Sequence, residues 1–242
     1  TKTDSLFKFS ISDGSDTSNI DFYVRSIDND DLIDPSPAYL RIPIKNTPPI
    51  IQLEEEFQPQ DTTNTVFSLV WNALDLDGES TIDTTFIKIN DGPWFAIDGQ
   101  KNAARFIPED PKSTGPIPCR VLSSKTQNPT YVISNEIEEV KKIEGLILND
   151  NNVVYIQTRD NAGSLSEIDT SSIFYLKSQN SDFLITSAHF DTDIKSTYAA
   201  ILNDLNISYD FIDLLENNAK TDIRFWNFNF PIILDLYQSV FW

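Results

Sequence analysis

The chain has 242 residues, 40% of them hydrophobic and 12% aromatic, with 37 acidic against 18 basic side chains and a formal charge of −19. That apolar fraction is enough to offset the entropy of ordering the backbone, which excludes a disordered chain, and the length suits two domains or a little more. The charge repels phosphate backbones and anionic membrane faces, so nucleic acid is excluded as a partner, and no apolar run reaches the roughly 20 residues of a transmembrane helix.

The single cysteine, Cys119, closes no internal disulfide, so the modules are expected to be held by their cores. The chain begins at Thr1 and contains no methionine. It therefore reads as an internal segment of a larger precursor, with any export signal lying elsewhere.

An internal repeat organises the first three quarters. Phe22-Tyr23-Val24-Arg25-Ser26-Ile27-Asp28-Asn29 matches Val154-Tyr155-Ile156-Gln157-Thr158-Arg159-Asp160-Asn161, with alternating apolar residues and a closing Asp-Asn turn. Each copy leads through a polar turn into a further strand, Ala38 to Ile44 or Ser172 to Leu176, which predicts two copies of one terminal hairpin. Asn46-Thr47-Pro48-Pro49 between them reads as a stiff linker. The expected units are residues 1–46, the end of a first sandwich, and 47–178, a second one. Within the second, Ile50 to Leu53, Val66 to Trp71, Phe86 to Ile89 and Trp94 to Ile97 are predicted strands, with Trp71 central to the core. Turns are expected at Asp75-Leu76-Asp77-Gly78 and Asn90-Asp91-Gly92, whereas the proline- and serine-rich stretch 108–129 reads as an inserted surface loop.

After Ser178 the period changes. Phe183-Leu184-Ile185 is a predicted strand, Tyr198, Ile201, Leu202 and Leu205 form one helical face, Tyr209 to Leu214 is a strand, a second helix starts at Pro231, and Ser239 begins a third strand. This predicts the start of a parallel α/β sheet over 181–242. The fold class is thus mostly β, tandem sandwiches followed by a partial α/β domain.

Trp71, Asp75-Leu76-Asp77-Gly78 and Arg159-Asp160-Asn161-Ala162-Gly163, with Val24 to Asn29 and Asp34-Pro35-Ser36-Pro37 upstream, resemble bacterial fibronectin type III-like and related immunoglobulin-like modules over about residues 1–178. Asp182-Phe183-Leu184-Ile185, Ser208 to Asp213 and Tyr237 to Trp242 resemble the opening of a flavodoxin-like domain of the class I glutamine amidotransferase-like type. The resemblance implies a non-catalytic spacing or presenting segment of an extracellular or cell-surface bacterial protein, whose partners are other proteins or neighbouring domains. A second reading is an accessory, polysaccharide-binding or docking region of a secreted hydrolase. The nucleophilic cysteine of the amidotransferase-like family follows a later strand, and Cys119, in the β-module, does not correspond to it.

No catalytic or cofactor-binding residue is assigned. Asp75, Asp77, Glu79 and Asp160 lie in loops expected at one end of the sandwich, where they either hold calcium, which takes hard oxygen ligands, or fix their own turns. His189 with Asp191 and Asp193 follows the first α/β strand, a poor zinc set read chiefly as a helix-capping loop. Trp94, Phe95, Trp71, Tyr131 and the run Phe225 to Phe230 with Trp226 are either core residues or sugar-stacking platforms. The sequon Asn206-Ile207-Ser208 reads as accidental.

Overall fold

Strands β1 (Thr17–Val24) and β2 (Ala38–Lys45) pair antiparallel along their whole length, from Thr17 opposite Lys45 to Val24 opposite Ala38. The structure, a computed structural model, describes residues 17–126, 136–187, 192–213 and 229–241. The turn of this hairpin is built on Asp28. Its carboxylate accepts the amides of Asp30 and Leu32, its own amide donates to the Leu32 carbonyl, and Asp31 is left-handed at φ 59°. Across the strands, Asp21 accepts two bonds from Arg41 at 2.7 and 3.0 Å and one from the Tyr39 hydroxyl at 2.8 Å.

The next strands, in chain order, are β3 (Ile50–Leu53), β4 (Thr62–Asn64), β5 (Phe67–Leu74), β6 (Ile82–Ile89), β7 (Phe95–Asp98), β8 (Ala103–Pro108) and β9 (Pro116–Ser124). They are followed by β10 (Ile137–Glu138), β11 (Ile143–Ile147), β12 (Asp150–Asn152), β13 (Val154–Asp160), β14 (Asp169–Thr170) and β15 (Phe174–Lys177). One antiparallel sheet runs β3-β5-β8-β9, with β10 and β11 both on the outer edge of β9. A second runs β14-β13-β6-β7, and a third runs β12-β15-β4, in which β15 is parallel to β4.

Alternation along the strands turns one set of side chains inward. Trp71 is 1% exposed, and Phe67 stacks on Phe106 with ring centroids 4.6 Å apart and meets Phe174 at 4.9 Å. Ile87, Ile89, Val154 and Ile156 come from the second sheet and complete one core with them. A tight crossing seals this core where the β6–β7 turn meets β11. A Cβ on Gly92 would lie 2.4 Å from the Glu144 carbonyl oxygen, and one on Gly145, itself at φ 106°, would lie 2.2 Å from that of Ile89. Only residues without a side chain let the two backbones approach this closely.

Two expectations are corrected. The stretch 108–129 is not a loop throughout: Pro116–Ser124 is β9, paired with β8 from Pro108 opposite Cys119 to Ala103 opposite Ser124, and residues 127–129 lie outside the described ones. Its prolines fall at outward positions, while Ile117, Cys119 and Val121 are buried. An outward proline at the start of a strand gives up no inward packing, so its composition hid a core strand. The second hairpin also differs from the first. β13 pairs with β14 at Tyr155 and Ile156 only, and β15 then leaves to join β12 and β4. The turn itself does repeat. The Asp160 amide donates to the Ser164 carbonyl, its carboxylate accepts the Ser164 amide, and Gly163 is left-handed at φ 92°, as Asp31 is.

The last quarter comprises β16 (Phe183–Ser187), α1 (Thr192–Asp204), β17 (Asp210–Asp213), α2 (Phe230–Asp235) and β18 (Ser239–Phe241). The strands form a parallel sheet in the order β17-β16-β18. Asp210 joins its parts by accepting the amides of Asn180 and Ser181 and the Tyr237 hydroxyl. The predicted helix face is only partly used. Leu202 is buried, but Ile201 is exposed, and Leu205 is exposed because the helix ends at Asp204 and leaves it in the following turn.

Among the described residues, the core of this α/β part is shared with the sandwich. Leu184, Ile212, Phe230 and Ile233 share one apolar cluster with Val66 and Ile107 of the sandwich, and Leu122 packs at its edge. Lys112 pairs with Asp182 at 2.6 Å beside it, and Gln179 donates its amide to the Pro111 carbonyl and its side chain to that of Leu236.

Candidate functional site

The loop end of the sandwich brings together three of the acidic residues singled out above. Asp75 closes β5, and Gly78, at φ 127°, opens the short 3-10 turn Glu79–Thr81 that leads into β6. The Asp75 carboxylate accepts the Asp77 amide at 2.8 Å and the Thr81 hydroxyl at 2.6 Å. From the neighbouring loop, the Asn161 amide donates to the Thr81 carbonyl at 2.8 Å, which ties the β5–β6 connection to the one after β13.

Two further carboxylates reach the preceding linker. Asp77 accepts the Thr47 amide at 2.7 Å, and Asp160, 1% exposed, accepts the Asn46 side-chain amide at 2.7 Å. The same Asn46 nitrogen donates to the Ser164 hydroxyl at 3.0 Å, and the other Asp160 oxygen takes the Ser164 amide. The oxygens of Asp75 and Asp160 are thus engaged by donors of the protein itself. Glu79 is exposed and contributes its backbone carbonyl to Gln100. Among the described residues, no group of three or more His, Cys, Asp or Glu is placed to hold a metal ion. Sequence reasoning found the acceptors but not their donors, Asn46 and Thr47. The signal was the pair Asn46-Thr47 directly before Pro48-Pro49, polar residues at a stiff junction.

The other candidates separate. Trp71 and Phe95 are in the core, while Trp94, at the head of β7, is 41% exposed. Tyr131, His189, Asp191, Phe225 and Trp226 lie outside the described residues, and Asp193 is in the first turn of α1. Asn206 of the sequon takes the left-handed conformation, φ 52°, just beyond that helix. Cys119 is fully buried on β9, and burial, with Glu109 adding a smaller push, holds its thiol far above the ordinary range, which disfavours the nucleophilic thiolate. A groove of about 450 Å³ lies beside the Gly92–Gly145 crossing, walled by Pro93, Pro116 and Pro118, and its ionisable lining residues are Asp91 and Glu144.

The outer face of the second sheet was not foreseen as a unit. Lys88 is opposite Tyr155 on β13, and the β6–β7 register, Ile87 opposite Phe95, sets it beside Trp94. Its ammonium lies 5.7 Å from the Trp94 ring centre and 4.9 Å from that of Tyr155. Along the same face, the Arg159 guanidinium sits 5.4 Å from the Phe86 ring and pairs with Asp83 at 2.7 Å.

No protein-family model matches this sequence, and no curated protein resembles it to a significant degree.

Proposed function

We propose that this chain is a non-catalytic connecting and presenting segment of a modular bacterial surface or secreted protein, in which immunoglobulin-like, fibronectin type III-like sandwiches set the position of a flavodoxin-like unit. The observation that carries this reading is the grip on the linker. Asp77 and Asp160 bind the backbone of Thr47 and the side chain of Asn46, and a polar contact of this kind converts a flexible joint into an angular one. The shared cluster of Val66 and Ile107 with Phe230 and Ile233 supports it from the other side, since it fixes the α/β part against the sandwich. The strand order β17-β16-β18 is compatible with a flavodoxin-like start. The resemblance of the modules supports an extracellular setting.

The test is a distance measurement between spin labels at Asp30 in the hairpin and Ser80 in the β5–β6 loop, with Cys119 replaced by serine. A narrow distribution is expected, which Asp77→Ala with Asp160→Ala broadens. Equal widths in the two proteins would remove the connector reading.

A further inference from the structure

The outer face of the β14-β13-β6-β7 sheet carries a row that runs across three strands: Trp94, Lys88, Tyr155. A large indole left 41% exposed contributes nothing to the core, and the Lys88 ammonium is held between two rings without a carboxylate partner among the described residues. Trp94 and Tyr155 stand two strands apart, so their rings are separated by about 10 Å, twice the inter-strand spacing. In the next row exposed Ala96 lies beside half-buried Phe86 and Gln157, with the Arg159 guanidinium 5.4 Å from the Phe86 ring. Gln157 donates its amide to the Ser166 carbonyl, which orients the side chain and leaves its own oxygen as an acceptor.

From this we infer that the face is a binding platform for a neutral, extended, β-linked polysaccharide lying across the strands. Two aromatic rings at that separation match alternate rings of such a chain, whose C–H-rich faces stack on the ring surface that Lys88 leaves uncovered. Between them, three ammonium N–H groups of Lys88 are available to sugar hydroxyls. The charges point to a neutral ligand. Lys88 and Arg159 are balanced on this face by Asp83 and Asp98, and the −19 molecule as a whole repels a polyanion. This binding does not depend on the connector role, because the row lies on the strands and not at the linker.

The experiment is native electrophoresis of the whole chain through gels containing hydroxyethyl cellulose, polygalacturonate or no polysaccharide. Retardation in the neutral gel is expected. Trp94→Ala should weaken it about tenfold or more, the scale of one lost aromatic contact in a desolvated stack. Lys88→Gln should have a smaller effect, and Leu76→Ser, at an exposed apolar residue in the β5–β6 loop, none. Thermal melts of the variants confirm that each is folded. Migration unaffected by hydroxyethyl cellulose would overturn the proposal, as would retention that survives Trp94→Ala or retention confined to polygalacturonate.

Discussion

Asp160 works through both its oxygens: one closes its own turn on Ser164, and the other holds Asn46 of the linker. Replacing a buried carboxylate that accepts such bonds leaves the donors unpaired. Asp160→Ala is therefore expected to lower stability by about 3 kcal/mol in urea titration, and Glu79→Ala, at an exposed side chain, to change it little. Because protein donors occupy these oxygens, millimolar calcium is expected to leave the melting temperature unchanged. A calcium-dependent rise abolished by Asp75→Asn would reassign the residues as metal ligands. Asp21 behaves differently because it is open to solvent. The Arg41 guanidinium, and after it the Tyr39 hydroxyl, hold its carboxyl down to about 2 from an ordinary 3.8. A depressed pKa gives a contribution that is present above the unfolded value and is lost as pH falls through the folded one. The hairpin contact should thus persist at pH 3 and dissolve near pH 2, as followed by the Asp21 carboxyl resonance, and Arg41→Ala should return the midpoint towards 3.8. An Asp21 midpoint near 3.8 in the unmodified chain would contradict this.

At the scale of elements, what could be read from sequence depended on whether the period showed. Phe86 to Ile89 and Val154 to Asp160 alternate cleanly, and both are strands of the second sheet. β9 was missed because Pro116 and Pro118 occupy its outward positions, and one of the partners that decide its pairing, β11, lies beyond the next stretch of chain. The split between β14 and β15 was invisible for a similar reason: which sheet a strand joins is a non-local matter that its own residues do not record. Such surroundings also produce β10, tied to β9 by Glu138 with Arg120 and by Glu139 with Ser123. Nearby, buried Arg105 and half-buried Glu136 form a pair at 3.2 Å in which, among the described residues, the Arg105 Nε and the Glu136 Oε1 lack partners. Burial disfavours both charges, pushing the guanidinium down and the carboxyl up. Incomplete buried pairs are weak stabilisers, but half of one is worse. Glu136→Leu alone should cost about 3 kcal/mol, and Arg105→Met with Glu136→Leu should recover most of it. An additive pair of losses in denaturant unfolding would refute this.

In the whole molecule, the α/β part completes its core on the outer face of the sandwich, through Val66, Ile107 and Leu122. Periodicity predicted its strands and helices but not that dependence, because Val66 and Ile107 read like any strand residues until their partners are known. Ile107→Asp is expected to expose the region after Ser178 to proteolysis while the far side of the sandwich stays protected; equal cleavage rates would show that the two parts stand alone. The parallel contact of β4 with β15 has a mechanical meaning. Tension applied at Asn46 and Ser178 would pull these neighbours from opposite ends, so that the bonds from Thr65 to Lys177 and from Tyr175 to Asp61 are sheared together rather than unzipped one by one. Forced rupture is governed by the unfolding barrier, and a sheared pair raises that barrier where a peeled one does not. Stretched as a single molecule, this sandwich should yield in one high-force event that Thr63→Pro weakens. On a cell surface, that would make it a tether able to carry a sustained load.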